Sequence, residues 1–438
     1  MDDEAVLSID FGSAYTKIAV RTGWNSDSAL IQDLSLAPRD SAFCIPSVVA
    51  RVASTKGEKW LIGVDAASQL PGPDVTIYSN WKASLFGVLG LESHKDGATG
   101  GTKTDITEVA TQFFRRLRDG LLRRRGDYDV ADLPVRICIP KLADGDGAQA
   151  LIAGILRNCG WESSIRRPSV SEPESNALGV LSRGRNATWI PPYFDFTPHW
   201  GRSAKLPDML EPSLSRAFRE GVMRETRSYY GVLVTDIGAF TTDFGYVRFD
   251  SSFWTADWQT PQITAQSCKL GIRELDSTVL QQLPSEAQQA VAQLPSAEWD
   301  RYKTMLYHGE PVALRRRQGG VLMLGQGKEA RAIQEAVHSF AGKVWQSRKD
   351  FAESELSDSV HAEALTGGGA MIPLIRETLV KQMQSEGRMV HDLLDKDEPR
   401  NALGAVTERA LEQRARQNQE LVRGGSAIGG CSVFFASK

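Results

Sequence analysis

The sequence predicts an α/β protein built as two successive lobes with a cleft between them, on three observations. The first is length: 438 residues exceed what one ordinary core organises, so two or more domains are expected. The second is rhythm, because segments with strand character alternate with helical periodicity in two consecutive sets. The third is a repeat. Residues 7–20 read LSIDFGSAYTKIAV and residues 233–247 read LVTDIGAFTTDFGYV. The shared skeleton is D-[FI]-G-x-x-x-T, matching Asp10, Gly12 and Thr16 to Asp236, Gly238 and Thr242. An Asp ending an apolar strand is costly unless its charge is compensated. The Gly two residues on allows a tight turn whose N–H groups face an anion.

In the first lobe, 6–11 and 15–21 form a hairpin, followed by strands at 42–49 and 59–62. Apolar residues recur at three or four positions near 105–125 and 145–158, which predicts helices. Residues 135–139 form a short strand, buried over most of its length despite Arg136, and 172–181 a helix. The second lobe opens at Gly231 with the second hairpin. Helices follow at 271–282, 285–293 and 296–308, then strands at 311–315 and 319–324 and a long helix over 327–352. His361–Leu365 is a strand running into GGGAMIP, with a helix from Ile372. A helix over 398–420 closes the fold, and GGSAIGGCSVFFASK reads as a glycine-rich tail with a short apolar end. The lobes are thus 1–181 with 404–438, and 231–403.

Residues 182–230 interrupt the rhythm. ATWIPPYFDFTPHWG sets aromatics among prolines, which neither a helix nor a central strand tolerates. The segment either packs on its own protein or forms a partner-binding surface.

Composition narrows the function classes. With 41% hydrophobic and 24% charged residues the chain is an ordinary soluble globular one, and the net charge of -3 gives no electrostatic support for nucleic-acid binding. MDDEAVLSID is acidic and enters a strand at once, unlike a secretory signal, and no apolar run approaches the ~20 residues of a membrane helix. Five scattered cysteines without a C-x-x-C pair fit free thiols in a reducing cytoplasm. No histidine pair has metal-ligand spacing, and no G-x-x-x-x-G-K-[ST] loop is present. The basic stretches 113–125 and 315–320 read as a solvated helix face and a charged hairpin turn.

Two such hairpins, one leading each lobe and facing across a cleft, would offer N–H donors to a polyphosphate and two carboxylates to its Mg²⁺, which prefers a few carboxylates plus water and phosphate oxygens. Hydroxyls at 13, 16, 241 and 242 would bond phosphate oxygens or the attacking water.

The ordered set of motifs resembles the actin-like ATPase superfamily, and within it the ATPase domain of DnaK-type heat-shock chaperones. LSIDFGSAYTKIAV resembles the first phosphate loop and VTDIGAFTTDFG the second; FCIPSVV, GVDAASQ, VRICIP and the helix starting SEPESNALG lie between them. CKLGIRELD and DRYKTML follow, LTGGGAMIP resembles the adenosine loop, and NALGAV the second connecting helix. The resemblance covers about residues 5–405 apart from 182–230.

It implies an actin-like two-lobed ATPase fold and a MgATP-binding, slowly hydrolysing switch. Asp10 and Asp236 would hold hydrated Mg²⁺; Gly12, Ser13 and Tyr15 would cradle the β-phosphate; Gly238 and Thr241 would serve the γ-phosphate side. Glu172 would sit near metal and water, and Lys82, one residue out of register in NWKASLFG, would match the lysine that offsets γ-phosphate charge. Asp300 and Lys303 would reach ribose and base, and Gly367, Gly368 and Gly369 would admit the sugar. Three positions depart from the family. Thr304 and Met371 replace arginines that stack on adenine, Phe240 stands in the glycine-rich second loop, and Ala14 replaces a threonine. The chain after Glu420 is too short for a peptide-binding domain. A partner protein reading the ATP or ADP state is expected, through 182–230 or the tail; an actin-like filament former and a scaffold with little turnover are the alternatives.

Overall fold

The computed structural model describes residues 5–21, 29–31, 35–55, 57–79, 81–85, 106–122, 133–141, 145–161, 169–181, 229–250, 262–315, 319–356, 360–391, 394, 416 and 419–431. Most of the aromatic segment 182–230, the NALGAV motif and most of the helix expected over 398–420 lie outside them.

The chain is a mixed α/β protein with two mixed sheets of the same plan. In the first sheet, β1 (Val6–Phe11) and β2 (Tyr15–Arg21) form the hairpin, and β3 (Ala29–Leu30) and β4 (Ile45–Pro46) flank β2. β5 (Val49–Ser54), β6 (Gly57–Ile62) and β7 (Val75–Tyr78) form a separate small sheet. Two strands extend the first sheet, β8 (Val135–Ile139), parallel to β1, and β9 (Ser169–Ser171), parallel to β8. The second sheet repeats this with β10 (Tyr229–Ile237) and β11 (Thr242–Asp250) as the hairpin and β12 (Gln262–Cys268) outside it. After the two-stranded sheet of β13 (Val312–Arg315) and β14 (Val321–Leu324) come β15 (Ala362–Thr366), parallel to β10, and β16 (Met389–His391), parallel to β15. The main strand orders, β3-β2-β1-β8-β9 and β12-β11-β10-β15-β16, are thus equivalent step for step in sequence and direction.

Each sheet is covered by helices with one apolar stripe. In the first lobe these are α1 (Gly63–Ala67), α2 (Trp81–Leu85), α3 (Ile106–Leu122) and α4 (Gly145–Asn158). On α3, Val109, Phe113, Phe114, Leu117 and Leu121 are buried in one core with Ile9 and Phe11; of the basic stretch, Arg115 faces solvent, Arg116 and Arg118 are half-buried, and 123–125 lie outside the described residues. α5 (Glu172–Leu181) leaves β9 directly and packs on β10 and β11 of the other sheet. The second lobe contributes α6 (Ile272–Gln282), α7 (Ser285–Val291), α8 (Ser296–Tyr307), α9 (Gly327–Glu355) and α10 (Pro373–Ser385). α9 buries Ile333, Val337, Ala341, Val344, Arg348 and Phe351, steps of three or four that keep one face on the core. The two lobes keep separate hydrophobic cores.

Three expectations are corrected. The strand expected over 42–49 is broken into β4 and β5, because Pro46 has no N–H for a ladder and Ser47 turns to other partners. β12 went unread because its outward-facing edge alternates too weakly to mark a strand. The glycine-rich tail is no tail over 419–431: these residues form a helix, α11, with most of its side chains buried. Leu421 and Val422 belong to the second lobe's core, whereas Ala427 and Cys431 pack with Val6, Ala19 and Leu30 of the first. α11 also lies against α5, as an added Cβ on Gly179 would come within 2.0 Å of the Gly425 carbonyl oxygen. The glycines therefore allow two helix backbones to touch; 432–438 lie outside the described residues.

Candidate functional site

The repeated hairpins bring their ends to one charged cluster. Asp10 ends β1 opposite Lys17, and Asp236 sits in the equivalent register opposite Asp243. Lys17 Nζ donates to Asp10 Oδ2 at 2.9 Å. Burial pulls the Lys17 ammonium down, but Asp10, with smaller help from Cys44 and Asp236, outweighs it and leaves Lys17 firmly charged. The matched position in the second lobe has the opposite sign. Asp243 accepts hydrogen bonds from Thr241 Oγ1, at 3.0 Å, and from Ser267 Oγ.

α2 and α5 complete the cluster. Lys82, one residue out of register with the lysine it resembles, is 3% exposed and donates to Glu172 Oε1 at the first turn of α5. Its ammonium lies 5.4 Å from the Phe11 ring centre. Burial pushes the Glu172 carboxyl up; Lys82 opposes that, and Asp243 and Asp10 reinforce it. Burial likewise pushes Asp236 up to about 7, with Lys17 opposing and Asp10 and Glu172 adding. Asp243 is raised to about 7 by burial and then by Asp236. Four carboxyl groups from both lobes thus feel one another across the hairpin ends, with two lysines among them. Such an excess of crowded acid suits a site completed by a cation. Among the described residues, however, no three His, Cys, Asp or Glu side chains form a group able to hold a metal by themselves. A Mg²⁺ here would lean on water and phosphate, as that ion commonly does.

The raised carboxyls predict a pH dependence. Asp236 and Asp243 bind protons more tightly folded than in the unfolded chain, where an aspartate titrates near about 4. The stability they contribute is complete below that value and is lost as pH rises through 7. The melting temperature of the ligand-free protein is expected to fall between about pH 4 and about pH 7, with a shallower fall in Asp243→Asn. A melting temperature rising over that interval would contradict the crowding of these acids.

Both loops depend on glycine. A Cβ on Gly12 would lie 2.4 Å from the Tyr15 carbonyl oxygen, and one on Gly238 would lie 2.9 Å from that of Thr241. Ser13 is buried in the first loop. The paired hydroxyls do not all face a ligand, however. Thr16 Oγ1 is 2.9 Å from Ser47 Oγ, and Thr242 Oγ1 donates to Leu270 O at 2.6 Å, so both brace the turns.

A second group lies toward α8. Lys303 bonds Asp276 and Asp300, each at 2.7 Å, and Tyr307 donates to Asp276 at 2.6 Å. The Tyr15 phenol is pushed up to about 12 by burial and then by the Asp300 charge. Of the three glycines after β15, Gly367 has φ +87° and its Cβ would fall 2.1 Å from Asp236 Oδ1, while a Cβ on Gly369 would fall 2.3 Å from Ile237. These two are required by the protein's own packing; only Gly368 faces open space. Met371 packs against the second lobe's core.

Sequence reasoning missed Lys17, Asp243, Ser47 and Ser267. The first two were within reach, because each lies seven residues after its hairpin's Asp, the separation that makes it the cross-strand neighbour. Among the described residues no helix is long and apolar enough to cross a membrane. No model of a known protein family matches the chain, and no curated protein matches it.

Proposed function

We propose that the chain is a MgATP-binding, slowly hydrolysing switch of the actin-like, DnaK-type kind, in which nucleotide state alters how the two lobes close and what they bind. One observation carries this reading: two β-hairpins on equivalent sheets deliver Asp10 and Asp236 to a single cluster with Lys82 and Glu172. Asp10 and Asp236 would hold the hydrated Mg²⁺, which when bound neutralises phosphate charge and favours attack by water. Lys17 and Lys82 supply fixed positive charge for the phosphate chain, and the first and second loops supply backbone N–H groups. Glu172, its carboxyl raised by burial, is able to take a proton from water. Gly12, Ser13 and Tyr15 would cradle the β-phosphate, and Asp300, Lys303 and Gly368 would line the side toward the nucleoside.

Slow turnover is the expectation because Phe240 is bulky in the second loop and Ala14 lacks a hydroxyl in the first. A switch needs only that ATP and ADP differ in free energy of binding to open and closed forms, not that chemistry be fast.

The test is MgATP hydrolysis across a wide range of protein concentration, with Asp236→Asn as the blank. Turnover that is slow, linear in protein and lost in the variant supports the switch. A sharp rise above a threshold concentration would favour assembly into filaments. A rate equal to that of the variant leaves a nucleotide-binding scaffold, and absence of nucleotide binding as well would end the reading.

A further inference from the structure

A phosphate-binding loop works only if its N–H groups point outward, and in a planar trans peptide the C=O and N–H point in opposite directions. Whatever holds the carbonyls therefore aims the donors. In the first loop the holder is Ser47, only 2% exposed. Its hydroxyl donates to Gly12 O at 2.6 Å, so the 2.9 Å contact with Thr16 Oγ1 is one that Thr16 donates. Its N–H donates to Ala14 O at 2.9 Å, and its own carbonyl accepts from Trp81 Nε1 at 3.0 Å, beside Lys82. One residue thus ties the loop to the helix that carries the buried lysine.

The second loop is held in the same sense by different atoms. The N–H groups of Ile272 and Arg273, in the first turn of α6, donate to Gly238 O at 3.1 Å and Ala239 O at 2.9 Å. This requires Gly271 directly against the loop: a Cβ there would lie 2.5 Å from Ala239 O and 2.5 Å from the Phe240 carbonyl carbon. The peptides whose carbonyls are held at Gly12, Gly238 and Ala239 carry the N–H groups of Ser13, Ala239 and Phe240, which have no hydrogen-bond partner among the described residues.

We propose that Ser47 and Gly271 are positioning residues that hold the carbonyls of the two loops inward and so set affinity for the phosphate chain of the bound nucleotide. This rests on the nucleotide-binding reading above. Neither residue touches the ligand; each acts through the peptide planes it fixes. The clamp makes a distinction a general packing role would not make, because it acts on phosphates and leaves the nucleoside side, built from α8 and Gly368, untouched.

The experiment is calorimetric titration of the purified full chain with ATP, ADP and adenosine in Mg²⁺ buffer. Ser47→Ala keeps both backbone hydrogen bonds and removes only the hydroxyl. It is expected to weaken ATP and ADP about tenfold, the scale of one lost hydrogen bond, and adenosine by less than about twofold. Ser47→Thr, which restores the hydroxyl, should recover most of that loss. Gly271→Ala, which pushes on the second loop, should show the same phosphate-selective pattern, and it keeps the question decidable if Ser47→Ala does not fold. Equal weakening of all three ligands, or none, overturns the proposal. If the unsubstituted protein binds none of them, the nucleotide reading itself fails, and that arm is read before any variant.

Discussion

Gly429→Ala is expected to destabilise the protein by about 3 kcal/mol or more, the upper end of what overpacking a close contact costs. The added Cβ would fall 1.6 Å from the Ser175 carbonyl oxygen and 2.5 Å from Gly179 N, both backbone atoms of α5 that no rotamer change can move. The helices must part, and α11 is poorly placed to yield. Val422 O accepts from Gly367 N at 2.8 Å in the second lobe, while Gly430 O accepts from Arg136 Nη1 and Ser426 O from Cys138 Sγ in the first. Gly342→Ala on α9 is the control, since its Cβ would meet nothing within 4 Å and helix propensity favours Ala by about 1 kcal/mol. Urea or thermal unfolding should therefore move the two variants in opposite directions. A Gly429→Ala protein that unfolds with the parent would show that α5 and α11 are not in contact.

The second large effect concerns a charge pair remote from the hairpin ends. Arg348 of α9, 3% exposed, reaches Glu363 in the middle of the second sheet, 0% exposed, through Nε at 3.1 Å and through Nη2. Its guanidinium also lies 5.0 Å from the Trp345 ring centre and bonds Glu386 at 3.3 Å. Arg348→Leu leaves the Glu363 carboxylate buried without its partner, and about 3–5 kcal/mol of stability should be lost. Burial already pushes Glu363 up against the pull of Arg348, so protonation relieves part of the cost. The loss should accordingly be smaller near pH 5 than near about pH 8, where the stranded group is charged. Pairing Arg348→Leu with Glu363→Leu should recover most of the stability, because a buried ion pair replaced by apolar side chains is often neutral. A double variant no better than Arg348→Leu would mean that the cost comes from lost packing around Trp345 instead.

Much of the fold was legible before any coordinates. Helices with a clear stripe, such as α3 and α9, were read close to their observed ends because burial on one face imposes a 3.6-residue period on the chain itself. The two hairpins were legible for a different reason: a turn that must close tightly beside a buried acid admits very few residues, so Asp-x-Gly recurs. Edge strand β12 carried no such constraint. The stretch 419–431 was misread because glycines usually signal loops, and nothing local distinguishes a flexible glycine from one that lets two helices touch.

The sequence by itself determined the alternation of strands and helices, the two equivalent hairpins and the pairing of Asp10 with Asp236, since each follows from periodicity or from motifs within a few neighbouring residues; Glu172 and Lys82 entered only through the family resemblance. Only the tertiary structure decided what those residues face. Lys82 meets Glu172 ninety positions away, Ser47 clamps a loop thirty-five positions before it, Gly367 lies against the Asp236 carboxylate, and α11 bridges two cores. Such contacts are set by which sheets and helices stack, and local spacing carries no record of that.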